Sequence, residues 1–290
     1  MSASMQPQST GPNLLAVADL HMDREANRKV LHDIRPETDG DWLIVAGDVA
    51  DLVEDVEYAL RLLRERFAKV IWVPGNHELW TLPKDSVQLK GEPRYRHLVE
   101  LCRSLDVVTP EDEYPVWDAG TEKLVLAPLF VLYDYTLRNE NETKQQALER
   151  AHEAGVVCTD EVFLHANPYP GRDAWCRARV AYTKRRLDAI PEDMRTVLIS
   201  HWPLHPGPTK RLYWPEFALW CGTRLTEDWH TRYRAAVAVY GHLHIPITDI
   251  YDGVRFEEVS LGYPREWQPR GLPRGVLRKV LPEPAVLHRV

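Results

Sequence analysis

The chain has 290 residues, 44% hydrophobic and 27% charged, an ordinary globular composition that excludes wholesale disorder and bounds the fold to one or two domains. Its 36 Lys and Arg against 43 Asp and Glu give a formal charge of -7, which argues against a nucleic-acid-coating surface. No run reaches the roughly 18 apolar residues of a membrane span, Met1–Asn13 lacks an apolar signal core, and Cys102, Cys158, Cys176 and Cys221 form no CxxC pair, so reduced thiols in a cytoplasmic protein are expected.

In chain order, residues 14–18 (LLAVA), 42–46 (WLIVA) and 69–73 (KVIWV) are short apolar runs closed by polar or turn residues, and read as buried strands. Residues 24–35 read as a helix ending before Pro36. Leu52, Val53, Val56, Ala59, Leu60, Leu63 and Phe67 follow the three-to-four spacing of an amphipathic helix. This alternation predicts a parallel sheet covered by helices. Tyr95–Ser104 reads as a helix, Val107–Val108 and Lys123–Leu129 as strands. Residues 130–170 show no period and are expected to be an insertion. Residues 172–189 read as a helix, Thr196–Ser200 and Ala235–Tyr240 as strands. Between them, residues 203–232 are rich in Pro and Trp with no clean element, the composition of a pocket wall or lid. Asp252-Gly253 between 246–251 and 254–260 signals a hairpin. Residues 265–290 read as a basic, Pro-rich tail. One domain over 1–290 is expected.

The polar motifs all follow predicted strands: Asp19-Leu20-His21, Gly47-Asp48, Gly75-Asn76-His77-Glu78, His201, and Gly241-His242-Leu243-His244. Ligands of open α/β sheets bind at that edge. Oxygen and imidazole donors without thiolate suit Mn, Fe or Zn. Asp19 and His21 are two apart, as are His242 and His244, so in extended backbone each pair points one way. Two such pincers with Asp48 between them are expected to hold two metal ions, Asp48 bridging. Two ions about 3.5–4 Å apart clamp an in-line displacement at phosphorus and make a nucleophile from water. Less the two carboxylates, two divalent ions leave a charge of about +2 to attract a phosphate ester.

Read in this order, DxH, GD, GNHE, a lone His and GHxH resemble the calcineurin-like metallophosphoesterase superfamily, with motifs spanning residues 19 to 244. The resemblance implies a four-layer α/β/β/α sandwich with two mixed sheets. It implies Asp19, His21 and His244 on one metal, Asn76, His201 and His242 on the other, Asp48 bridging, and His77 beside the scissile phosphate as catalytic residue. Asp51 stands where purple acid phosphatases have Tyr, and the Arg-Gly of protein phosphatases is missing. Longer stretches, among them Phe67–Trp80, Asp173–Cys176, Leu219–Thr223, Asp228–Tyr233 and Gly253–Trp267, resemble the actinobacterial 4′-phosphopantetheinyl hydrolases. That resemblance implies attack by a bridging hydroxide on the phosphodiester joining the arm to acyl or peptidyl carrier protein, with neither nucleic acid nor membrane as partner. A phosphodiesterase or phosphatase of nucleotide-like small molecules and a non-catalytic metal-bearing scaffold are the alternatives.

Around this set, Tyr133, Trp202 and Arg265 are the candidate substrate contacts, within a wider group of aromatics that either line a pocket or pack the core. Asp51 is read as a helix cap, Glu78 as a ligand orienter or turn cap, and His205 and His230 as surface residues. The basic run from Arg172 to Arg186 is read as a solvated helix face, with docking of an acidic carrier as the sharper alternative.

Overall fold

The computed structural model describes residues 11–118, 120, 122–272 and 275–283; residues 1–10 and 284–290 of the expected domain and tail lie outside them. Strands β1 (Leu14–Val17), β2 (Trp42–Val45), β3 (Lys69–Trp72) and β4 (Val107–Val108) run parallel in one sheet. Its order is completed by β11 (Arg278–Leu281), antiparallel beside β1. The second sheet contains β5 (Val116–Asp118), β6 (Lys123–Pro128), β7 (Arg195–Ile199), β8 (Ala235–Tyr240), β10 (Val254–Glu258) and β9 (Thr248–Tyr251), in that spatial order. β6, β7, β8 and β10 are parallel, while β5 and β9 are antiparallel edges. Both sheets are mixed, as the four-layer sandwich requires.

Side-chain alternation builds the layers. Leu14, Ala16, Ile44 and Ile71 of the first sheet meet Leu126, Val197, Ile199, Val237 and Val239 of the second in a buried inter-sheet core. The intervening Leu15, Val17, Leu43, Val45, Val70 and Trp72 pack outward in a second core. Helix Val53–Arg64 supplies Val56, Ala59, Leu60 and Leu63 to that layer. Helix Arg172–Leu187 buries Trp175, Cys176, Val180 and Leu187 in the same apolar cluster as Leu198 of β7.

Three segments differ from the sequence reading. Residues 130–170 carry two helices, Lys144–Glu153, capped by Thr143, and Asp160–Phe163. Their short length and polar composition hide the period. Residues 203–232 are three 3-10 turns and the short helix Trp229–Arg232. The segment read as a tail instead forms helix Pro264–Arg270 and β11, so it returns to pair with β1 as an edge of the first sheet. The Asp252-Gly253 hairpin forms as expected, both residues at positive φ (49° and 78°).

The basic run on helix Arg172–Leu187 is divided: Arg177, Lys184 and Arg185 face solvent as read, while Arg172 and Arg179 turn inward. Arg172 pairs with Glu161, Arg177 with Asp173, Arg179 with Glu111 and Lys184 with Asp188. Arg186 donates to the carbonyls of Pro110 and Asp112. Its charge is therefore largely consumed within the molecule. His230, read as a surface residue, is buried, with Nε2 2.9 Å from Asp252 Oδ2.

Candidate active site

The C-terminal ends of β1, β2, β3, β7 and β8 meet at one rim, where the two sheets are stitched together. Ala18 forms a parallel bridge with Ser260, its N–H donating to Val259 O (3.0 Å) and its carbonyl accepting from Leu261 N–H (2.9 Å). This brings Asp19 and His21 of the first sheet against His242 and His244 of the second. The turns are not the extended pincers of the sequence reading. Asp19, His21, Asp48, His242 and His244 all have φ between 41° and 71°. Left-handed non-glycine residues cost about 1–2 kcal/mol each, so the site holds strain that the surrounding hydrogen bonds must overcome. Gly75 is required for proximity: a Cβ there would fall on the Asp48 carboxylate.

Two clusters of potential ligand atoms result. Asp19, His21 and His244 converge in one, and Asp48, His201 and His242 in the other. Asp48 also lies within reach of His21 and His77, which places it between the two. His242 and His244 are thus divided between clusters rather than paired. Asn76 belongs beside the second, its Oδ1 3.2 Å from His201 Nε2.

Acceptors face acceptors in both clusters. His201 Nδ1 lies 2.8 Å from the Ala46 carbonyl, so Nδ1 carries the proton and Nε2 presents a lone pair to Asn76 Oδ1, His242 Nδ1 (3.2 Å) and Asp48 Oδ2 (3.4 Å). His244 Nδ1 faces Glu266 Oε2 at 2.8 Å, leaving Nε2 toward Asp19 Oδ1 (3.0 Å) and His21 Nε2 (3.1 Å). Such crowding is relieved by a proton on Nε2 or by a metal ion in its place, and imidazoles fixed by an outer carboxylate or carbonyl are the usual metal-ligand arrangement. The donor set therefore fits a pair of metal ions.

Acidities follow the same map. Burial opposes charge on every group here. It is outweighed at His244 by Asp19 and Glu266, which push the ring up to about 10, and at His201 by Asp48 and Asp19, which push it up to about 9. His242 is driven down to about 3, by burial and by His201. Despite burial, Asp19 and Asp48 lie well below the usual carboxylate range because of His244 and His201 respectively. Protons and metal ions compete for these atoms.

His77 is held differently. Its Nδ1 lies 2.7 Å from Asp51 Oδ1 and its ring is 3.7 Å from that of Trp80. Nε2 points into the site, 3.8 Å from Asp48 Oδ2 and 3.5 Å from the Tyr263 hydroxyl. Burial disfavours its charge, but Asp48 and Asp51 outweigh it and raise the pKa above the ordinary value. Asp51, read as a cap, instead grips this ring; the following helix has no side-chain cap.

Glu78 is the hub of the floor. Its carboxylate accepts from the backbone N–H groups of Asp48 (3.0 Å), Val49 (2.9 Å) and Gly75 (3.0 Å), shaping two motif turns at once. Burial and the Asp48 charge push it up to about 7. Behind Asp19, Ser260 Oγ donates to Oδ2 at 2.6 Å and also touches Glu258, whose carboxyl is raised to about 7 by burial and Asp19.

A cavity of about 450 Å³ opens above the clusters, with Asp48, Asn76, His77, His242 and His244 on its floor. Leu212, Tyr213, Trp214 and Phe217 form an apolar wall, and Tyr263 and Arg265 stand at the rim. Of the expected substrate contacts, Arg265 lines this cavity, its side chain 81% exposed and its only ion pair a 4.0 Å approach to Glu266 among the described residues. Tyr133 and Trp202 do not: both are fully buried, and Trp202 packs behind His201 (5.0 Å) and His242 (5.9 Å). Sequence reasoning missed Ser260, Tyr263 and Glu266, although Pro264 followed by Glu266 is a helix-start signal.

The comparisons with known proteins agree with this geometry. Residues 12–246 match the calcineurin-like phosphoesterase family. The chain is 52% identical over 274 residues to the acyl-carrier-protein phosphodiesterase PptH of Mycobacterium tuberculosis, covering 94% of this chain and 84% of that protein. The crystal structure of phosphopantetheinyl hydrolase (PptH) from Mycobacterium tuberculosis superposes with a TM-score of 0.94 at 51% identity, covering 96% of this chain and 99% of that one. Among the described residues no helix is long and apolar enough to cross a membrane. A buried acceptor-rich floor, strand-end motifs and a family match over most of its length lead to one conclusion: the chain belongs to the calcineurin-like phosphoesterases, a family of metal-dependent phosphoric ester hydrolases.

Proposed function

We propose that this chain is a cytoplasmic, single-domain phosphodiesterase that removes the 4′-phosphopantetheine arm from holo-acyl carrier protein. The observation that carries this reading is the 52% identity, sustained over 94% of the chain, to a protein known as an acyl-carrier-protein phosphodiesterase. The cavity suits such a substrate, because a charged floor for the phosphodiester adjoins an apolar wall for a long uncharged arm.

Asp19, His21 and His244 would hold one metal ion, and Asn76, His201 and His242 the other, with Asp48 shared. Mn or Fe is the expected occupant, Zn a further one, as the oxygen and imidazole donors accept all three. The bound pair supplies Lewis acidity to the phosphoryl oxygens and a nucleophile from water. The chain's own residues do the rest. Glu266 and the Ala46 carbonyl keep His244 and His201 in the tautomer that presents Nε2. Asp51 holds His77 with Nε2 toward the floor and favours its charged form, so that it can stabilise negative charge and give its proton to the departing serine oxygen. Arg265, exposed at the rim, is placed to meet an anionic substrate group.

The test is to incubate Mn-loaded protein with holo-acyl carrier protein and follow the carrier's intact mass. Loss of the phosphopantetheine mass, abolished by Asp48→Ala, is expected. An unchanged carrier, together with metal-dependent cleavage of an aryl phosphodiester, would instead assign the chain a free small-molecule substrate.

A further inference from the structure

We propose that Asp160 is a positioning residue for the metal centre, its carboxylate deciding which end of the Asn76 side chain faces the ligand cluster. The inference rests on the reading of Asn76 as a metal ligand. A side-chain amide is nearly symmetric in shape but not in chemistry: only its oxygen has a lone pair for a cation. A half-turn about the last torsion therefore turns a ligand into a repulsive NH2 group.

Asp160 settles that choice. Its Oδ1 accepts from Asn76 Nδ2 at 3.0 Å, and Asn76 Oδ1 faces His201 Nε2 at 3.2 Å. The flipped amide would set oxygen against a buried carboxylate and NH2 against the ion, losing on both sides. Burial raises the Asp160 carboxyl, but Oδ1 accepts in either state, and it already takes two N–H donors, so a flipped amide oxygen finds no partner there. The same Oδ1 accepts from Trp80 Nε1 at 2.6 Å, and the Trp80 ring covers His77 at 3.7 Å. One oxygen thus orients a ligand and backs the ring opposite it. Asp160 is itself clamped: it is fully buried, and its carbonyl accepts from Arg172 Nη2 at 2.6 Å while Nη1 pairs with Glu161 at 2.9 Å. It lies in the 130–170 segment, which contributes none of the clustered ligand atoms.

The experiment counts metal ions per folded chain and measures the affinity of the second ion during Mn titration, with thermal melts as a folding control. Wild type is expected to bind two ions and N76A one. D160A should weaken the second ion by about 10–100-fold, the usual effect of losing an outer-shell partner. D160N should retain it, because its amide oxygen still accepts from Asn76 and Trp80. The decisive comparison is a sign reversal. N76D should weaken the second ion beside an intact Asp160, since two carboxylates then oppose each other. It should restore the ion in D160A, because a carboxylate has no wrong end.

If D160A does not fold, N76D combined with D160N replaces it: the opposing charge is removed while the amide oxygen keeps the Trp80 bond, so the second ion is expected to bind more tightly than in N76D alone. Second-ion affinity unchanged in D160A, or N76D acting alike in every background, would overturn the proposal alone. N76A retaining two ions would overturn the ligand assignment and the proposal with it.

Discussion

The floor and the wall of the cavity are built on opposite plans. On the floor, most side chains have dedicated partners: His201 has the Ala46 carbonyl, His244 has Glu266, His77 has Asp51, Asn76 has Asp160, and Glu78 holds three backbone amides, while His21 Nδ1 and His242 Nε2 have none among the described residues. The wall carries Tyr213 and Trp214, 86% and 54% exposed, on a segment braced from both sides by Arg211–Asp249 and Arg150–Glu216. A floor of interlocked polar groups determines what chemistry is done and tolerates little change. A firm wall with bare aromatic faces offers area without directional bonds, the property of a surface that selects substrates.

The sharpest way to break this contrast is at His77. His77→Ala is expected to lower kcat on an aryl phosphodiester by about 10²–10⁴-fold, the range for a general acid, with metal content kept at the wild-type level. Asp51→Asn should follow in the same direction by about tenfold, since orientation is lost but the ring remains. Unchanged kcat in His77→Ala would remove it from the chemistry.

On the wall, Trp214→Ala should act through KM. A loss of about 1 kcal/mol of contact is a fivefold rise in KM for holo-carrier protein, with kcat near wild type and little change on a compact aryl phosphodiester. Equal effects on both substrates would show that the wall supports the floor rather than receiving the arm.

The last effect lies far from both. Burial raises the Glu111 carboxyl, but Arg179, 2.6 Å away, holds it below 4.5. A carboxylate depressed in the folded state adds stability that is complete above its unfolded pKa near 4.5 and is lost as pH falls through the folded value. Glu111→Gln should therefore cost about 1 kcal/mol at pH 7 and make the melting temperature fall less steeply below pH 4.5. Parallel melting curves for the two proteins across that range would show that the pair is not felt.

What the sequence revealed of this site has a physical pattern. Asp19, His21, Asp48, Asn76, His201, His242 and His244 were legible because each follows an apolar run that must become a buried strand. The antiparallel edges β5 and β11 were not: three or four residues such as Arg278-Lys279-Val280-Leu281 carry too little alternation to announce a strand. The spacing of two in DxH and HxH suggested extended pincers, but the turns are left-handed, a choice made by tertiary hydrogen bonds and invisible to local periodicity. Tyr133 and Trp202 read as pocket or core by their aromatic character alone, and burial decides for the core. Asp160 had no signal, because its meaning arises only when residue 76 lies beside it.

The stitch between Ala18 and Ser260 has a consequence for biosynthesis. Every motif has been translated by residue 244, yet Asp19 is flanked by Ser260, and His244 takes its orientation from Glu266. A nascent chain displaying all its recognisable signatures therefore still lacks the partners that hold Asp19 and His244. Assembly of the clusters waits for residues 260–266 to return to the first strand, so it follows translation of the last motif instead of accompanying it.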